Sequence, residues 1–137
     1  MATRVKWYGA QMTKLIRGRL ADRLDQCGSI MHAGIVNDIS TPVFPRSKPG
    51  MPPHLETGEL LKSFTWENDR KNLITRVGSD LVNARYLEFG TGIYTQTFGG
   101  LGPTMGSKRN MKPRPHIRKN FYGNFRTFRV ILFRPIF

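Results

Sequence analysis

At 137 residues the chain has the size of one domain, and its 39% hydrophobic and 11% aromatic residues supply a single modest core. Its 22 Lys and Arg against 9 Asp and Glu leave a net charge of +13, and its one cysteine, Cys27, excludes an internal disulfide and any site that needs two thiolates from one chain. The start of the chain lacks a signal-peptide apolar core and the longest apolar run, Val130 to Phe133, is far too short to span a bilayer, so the expectation is a protein without a membrane segment, assembled in a cytoplasm.

From Ala10 to Ile39 the residues Met12, Ile16, Leu20, Leu24, Cys27, Met31 and Ile35 recur at steps of three and four. That spacing predicts one long amphipathic helix over 10–39, with the stripe, Cys27 included, in the core. Gly18, Gly28 and Gly34 weaken it, each by up to ~1 kcal/mol relative to Ala, so packing must hold it. Pro42, Pro45, Pro49, Pro52 and Pro53 make 41–55 an extended connector, because each proline removes a backbone donor. Thr57 is placed to cap a short helix through Leu60, Leu61 and Phe64, with Glu56 and Glu59 near its positive end. A hairpin follows, Phe64 to Glu67 and Leu73 to Val77 around a turn at Asn68 to Lys71. Ser79 or Asp80 then caps a helix over Leu81 to Phe89, whose shared face is Val82, Tyr86 and Phe89 and whose stop is Gly90. Residues 91–112, with five glycines and one proline, read as a long loop. Pro113 and Pro115 introduce the basic, aromatic segment 113–137, in which Ile117, Phe121, Phe125 and Phe128 mark a helical face and the β-prone tail Phe128 to Phe133 reads as a further strand. The resulting fold class is α+β, a single domain over 1–137 with the long helix packed on a small antiparallel sheet, short helices at its edge and long loops.

Charge is unevenly placed. After Glu88 come Lys108, Arg109, Lys112, Arg114, Arg118, Lys119, Arg126, Arg129 and Arg134, and no acid. Such asymmetry points to a polyanion or to an acidic protein surface, with a merely solvated basic face as the bland alternative. Lys108, Arg109, Lys112, Arg118, Lys119 and Arg126 are the candidate contacts to DNA or to an acidic partner. Catalytic patterns do not assemble: the glycines fit neither a Walker loop nor GxGxxG, and His32, His54 and His116 lack zinc spacing. Glu56 and Glu59 are explained by a helix start. The expectation is a protein without catalytic residues, metal or cofactor. Glu88, inside the apolar run Tyr86, Leu87, Phe89, has two readings. It is an exposed helix-surface residue, or it is buried against Arg85 or against an arginine such as Arg114 from the basic segment or from a neighbouring subunit.

Three blocks then carry a resemblance: Pro49-Gly-Met-Pro-Pro-His-Leu-Glu-Thr-Gly-Glu-Leu-Leu-Lys-Ser63, Val77-Gly-Ser-Asp-Leu-Val-Asn-Ala-Arg-Tyr-Leu-Glu-Phe-Gly-Thr91 and Pro113-Arg-Pro-His-Ile-Arg118. In this order they resemble the HK97 gp10-like family of tailed-bacteriophage morphogenesis proteins, the neck or tail-completion proteins, over roughly residues 10–120. His116 stands where the family has a late aromatic residue. The resemblance implies a non-enzymatic virion protein at the head–tail junction, a six-fold homo-oligomeric ring around the DNA channel. Its implied partners are the neighbouring head-completion or connector ring, the tail-terminator or tail-tube proteins and the genomic DNA in the lumen. It also implies structural or inter-subunit roles for Thr57, Gly58, Leu60, Tyr86, Glu88, Phe89, Gly90, Thr91, Arg114 and Pro115. The alternative is a standalone basic nucleic-acid-binding module in which Phe121, Tyr122, Phe125 and Phe128 stack on bases.

Overall fold

The computed structural model describes residues 8–41, 48–53, 58–91 and 111–135. Helix α1 (Gly9–Ser40) is followed by α2 (Glu59–Ser63), the strands β1 (Phe64–Asp69) and β2 (Ile74–Ser79), and the helices α3 (Val82–Phe89), α4 (Ile117–Gly123) and α5 (Phe125–Phe133). The class is α+β, as the periodicities predict. Thr57, Lys108 and Arg109, and the connector and loop readings for 42–47, 54–57 and 92–110, lie outside the described residues.

With 32 residues, α1 is about 48 Å long. The hairpin lies along its middle: His32 Nε2 sits 3.0 Å from Phe64 O, Asn68 donates to Ala21 O at 3.0 Å, and Arg70 pairs with Asp22 at 2.7 Å. The strands pair antiparallel from Phe64 opposite Ser79 to Asp69 opposite Ile74, each longer than its sequence expectation. The turn therefore moves to Arg70–Leu73. Asp69 builds it, accepting from the N–H groups of Lys71 and Asn72, each at 3.1 Å, and from Asn72 Nδ2 at 2.7 Å.

The core comprises Ile35, Ile39, Phe64 and Ala84, with Met31, Leu60, Leu61, Val77, Leu81 and Ile117 packed around it. It sits toward the C-terminal end of α1, which corrects the expected stripe. Ile35 is buried, Cys27 is half-buried, and Met12 is exposed, as are Tyr8 and Leu15. Gly28 and Gly34 are not simply weak points in this helix. A methyl group at Gly28 would strike Thr75 and Trp66 on the hairpin, and one at Gly34 would strike Asn120 of α4, whereas Gly18 faces open space. Absence of a side chain is what lets α1 approach both neighbours.

Three further expectations are corrected. Helix α2 starts after Gly58, whose φ of 77° occupies the N-cap position. On α3 the buried residues are Ala84 and Glu88, and Val82 is 62% exposed, so the face assigned from apolar residues alone is the wrong one. Residues 128–133 form helix, not a strand, with Phe128 and Ile131 buried, because period 3.6 satisfies both the packing on α1 and the local backbone.

Candidate functional site

Helix α3 ends where α4 begins, and the two ends complete one another. Pro113 and Pro115 have no N–H, so the one backbone donor between them is that of Arg114, and it reaches Leu87 O in the last turn of α3 at 2.7 Å. Gly90 N–H closes on Tyr86 O at 2.8 Å, and Arg118 Nη2 donates to Glu88 O at 2.7 Å. Three carbonyls of the last turn, those of Tyr86, Leu87 and Glu88, are thereby met, with a guanidinium at the negative end of the dipole. In the opposite direction, α4 has no side-chain cap of its own. Glu88 supplies one from α3: Oε2 accepts from the N–H groups of His116 at 2.8 Å and Ile117 at 3.0 Å, and Oε1 from the N–H and Nε of Arg118 at 3.0 and 2.9 Å.

Glu88 is 2% exposed. Burial alone would raise its pKa, but the three backbone donors and the Arg118 guanidinium outweigh burial and hold it below the ordinary carboxylate value. It is an ionised buried charge with both oxygens occupied. Its partner is Arg118, not Arg85 or Arg114; Arg114 contributes its backbone instead. Arg118 also stacks over Phe89, 5.1 Å from the ring centre. Gly90, with φ 79° and ψ −173°, occupies a region open essentially to glycine alone and turns the chain out of the helix. Thr91 follows it into a second closure, its N–H donating to Met111 O at 2.9 Å and its Oγ1 accepting from Met111 N–H at 3.0 Å. Gly50 N–H reaches Pro113 O at 3.0 Å, which brings the proline connector to the same place.

His116 is fully buried, edge-on to Phe64 with ring centres 5.3 Å apart. Its Nδ1 lies 3.1 Å from Arg114 O and 3.3 Å from Glu88 Oε2, while Nε2 has no hydrogen-bond partner. Burial depresses its pKa against weaker opposing pulls from the Arg114 carbonyl, Glu88 and Asp38, so the ring is neutral at pH 7. Asn120, also buried, donates to Asp38 Oδ2 at 2.9 Å and to His116 O at 2.8 Å.

Of the residues singled out in the sequence, Tyr86, Glu88, Phe89, Gly90, Thr91, Arg114 and Pro115 converge on this junction, while Gly58 and Leu60 stand at α2. The cations divide. Arg118 and Lys119, expected to meet DNA or an acidic partner, are engaged within the chain, Lys119 with Asp38 at 3.0 Å. Lys112 is exposed beside Pro49, Gly50, Pro113 and Tyr122. Arg126, together with Arg129 and Arg134, borders a shallow hollow on α5, and none of the three has an ion-pair partner among the described residues.

Sequence reading missed Asp38, Asn120 and Arg23. Asp38 had a signal, since an acid in the last turn of a helix opposes the dipole and needs a cation. Arg23 had none: its guanidinium donates to Leu132 O, Arg134 O and Pro135 O at 3.1, 2.7 and 3.0 Å and so caps the far end of α5. Among the described residues no group of three or more His, Cys, Asp or Glu could hold a metal ion, and no helix is long and apolar enough to cross a membrane. Comparison with protein-family models, with curated proteins and with solved structures found no match to this chain.

Proposed function

We propose that this chain is a structural virion protein of a tailed bacteriophage, a neck or tail-completion subunit that forms a ring around the DNA channel between head and tail. One observation carries the reading. The three separated blocks that resemble the phage family meet at a single junction: Gly50 bonds Pro113, Leu87 bonds Arg114, and Glu88 holds the backbone of residues 116–118. A common mechanical purpose explains why residues so far apart in sequence form one pattern. The Glu88 junction and the Thr91–Met111 closure fasten these blocks to one another, a construction suited to a subunit that must keep its shape within a ring.

The test is genetic and structural. The gene is to be located in its genome and inactivated there, and the resulting particles imaged. DNA-filled heads beside unattached tails are the expected outcome; intact particles, or a gene remote from capsid and tail genes, overturn the reading. The nucleic-acid module remains the second reading, favoured by the exposed Tyr122, Phe125 and Phe133 interleaved with Arg126, Arg129 and Arg134. Under it the isolated protein binds single-stranded oligonucleotides with a steep salt dependence, and substitution of these aromatics abolishes binding.

A further inference from the structure

The hairpin and α5 both pack on α1 but hardly on one another. Between them lies an open groove of about 800 Å³, floored by Leu24, Cys27, Gly28 and Met31 of α1. Its far wall is aromatic and aliphatic, with Phe121, Phe125, Phe128, Leu132 and Phe133. Its near wall is Thr75, Arg76 and Val77, three consecutive residues of β2. Alternate residues of a strand point to opposite faces, so three in succession line one groove only if the edge of the strand faces it. The sheet has two strands, and that edge of β2 has no strand partner among the described residues.

Charge selects the occupant. The groove's ionisable rim residues, Arg76 and Arg129, are both cationic, and Arg126 and Arg134 extend the positive stripe along α5. A second copy of this chain is poorly equipped to match them. Five of its nine acids are already engaged within the chain: Asp22 with Arg70, Asp38 with Lys119, Glu88 with Arg118, Asp69 with its own turn, and Asp25 with Trp66 Nε1. We propose that the groove receives an extended acidic segment of a different protein, which adds as a third strand to β2, places alternate apolar side chains on the α1–α5 floor and sets its carboxylates against Arg76, Arg126 and Arg129. The inference does not rest on the phage reading, since it requires only this face.

The experiment uses the full chain and a short fluorescent peptide alternating Glu with Val and Phe. Three control peptides carry Lys for Glu, Ser for the apolar residues, or N-methyl groups at alternate amides. Anisotropy is expected to show the Glu peptide binding at least ten-fold more tightly than every control, and the bound peptide is expected to slow modification of Cys27, the chain's one thiol, by a reagent such as a maleimide. Phe133→Ser and Arg129→Glu, at exposed positions and therefore neutral for folding, each weaken binding at least ten-fold. Equal binding of the Lys peptide, an unaffected N-methyl peptide or unaltered Cys27 reactivity overturns the proposal. So does displacement of the peptide by a single-stranded oligonucleotide at lower concentration, which makes this a nucleic-acid face. A dimer that Phe133→Ser converts to monomer likewise overturns it in favour of self-association.

Discussion

The two ends of the α4–α5 segment use positive charge in opposite ways. At the α4 end, Arg118 is turned inward onto Glu88, Lys119 pairs with Asp38 at the surface, and the carboxylate of Glu88 is surrounded by donors. At the α5 end, Arg126, Arg129 and Arg134 have no ion-pair partner among the described residues and stand beside exposed Phe125, Val130 and Phe133. The first arrangement gains its energy within the chain, because a buried charge is tolerable only when fully paired. The second leaves its energy to be realised on contact with something else. A strongly basic sequence therefore does not have one basic face: which cations are available is decided by where the few acids lie.

The α4 end is most sensitive at Glu88. Glu88→Gln should lower unfolding free energy by about 3 kcal/mol, toward the lower end for a broken buried pair because Arg118 keeps some contact with solvent. Urea unfolding measures it, and a change under half a kcal/mol would mean the carboxylate does not bind the two helices. Next in size is Gly34→Ala, expected to cost about 2 kcal/mol as the buried Asn120 amide is pushed from its bonds to Asp38 and His116 O, whereas Gly18→Ala in open space should stabilise by up to ~1 kcal/mol. Equal responses at the two glycines would contradict the close approach.

Acid should widen the contrast, since the two buried groups with depressed pKa values, Glu88 and His116, lie at the α4 end. His116 is neutral in the fold but takes up a proton when unfolded, so its contribution is complete above its ordinary value near 6.5 and declines as pH falls below it. Glu88 contributes fully above about 4.5 and loses its contribution as pH falls through its lower folded value. Thermal midpoints should therefore fall in two stages between pH 7 and pH 3. His116→Phe, which keeps a ring against Phe64 and removes the unsatisfied Nε2, should abolish the upper stage; a profile unchanged in that variant would contradict the assignment. The smallest effect belongs to the other end: Arg126→Gln and Arg129→Gln should each leave stability within about 0.5 kcal/mol, as surface changes without partners do. A larger loss in calorimetry would show that these cations also serve the fold.

Local pattern was enough for the long helix, for the hairpin to within two residues, for the stop at Gly90 and for an α+β class. These follow from spacing and backbone freedom, which neighbouring residues carry. Local pattern failed on the face of α3, on the tail at 128–133 and on the partner of Glu88. For α3, counting apolar residues favoured Val82, yet Ala84 and Glu88 are inside, because a carboxylate surrounded by the start of another helix is no longer a polar residue in need of water.

By itself, then, the order of amino acids determined which segments could be helix or strand, where the chain must turn, and that cations exceed acids throughout its last third. Only the tertiary structure decided which cations remain outside. Arg118 is thirty residues from Glu88, Lys119 eighty-one from Asp38, and Arg23 more than a hundred from the carbonyls it caps. Coulombic and hydrogen-bonding partners are chosen by distance in space, and no periodicity along the chain encodes a distance that exists only after α4 and α5 have folded back along α1.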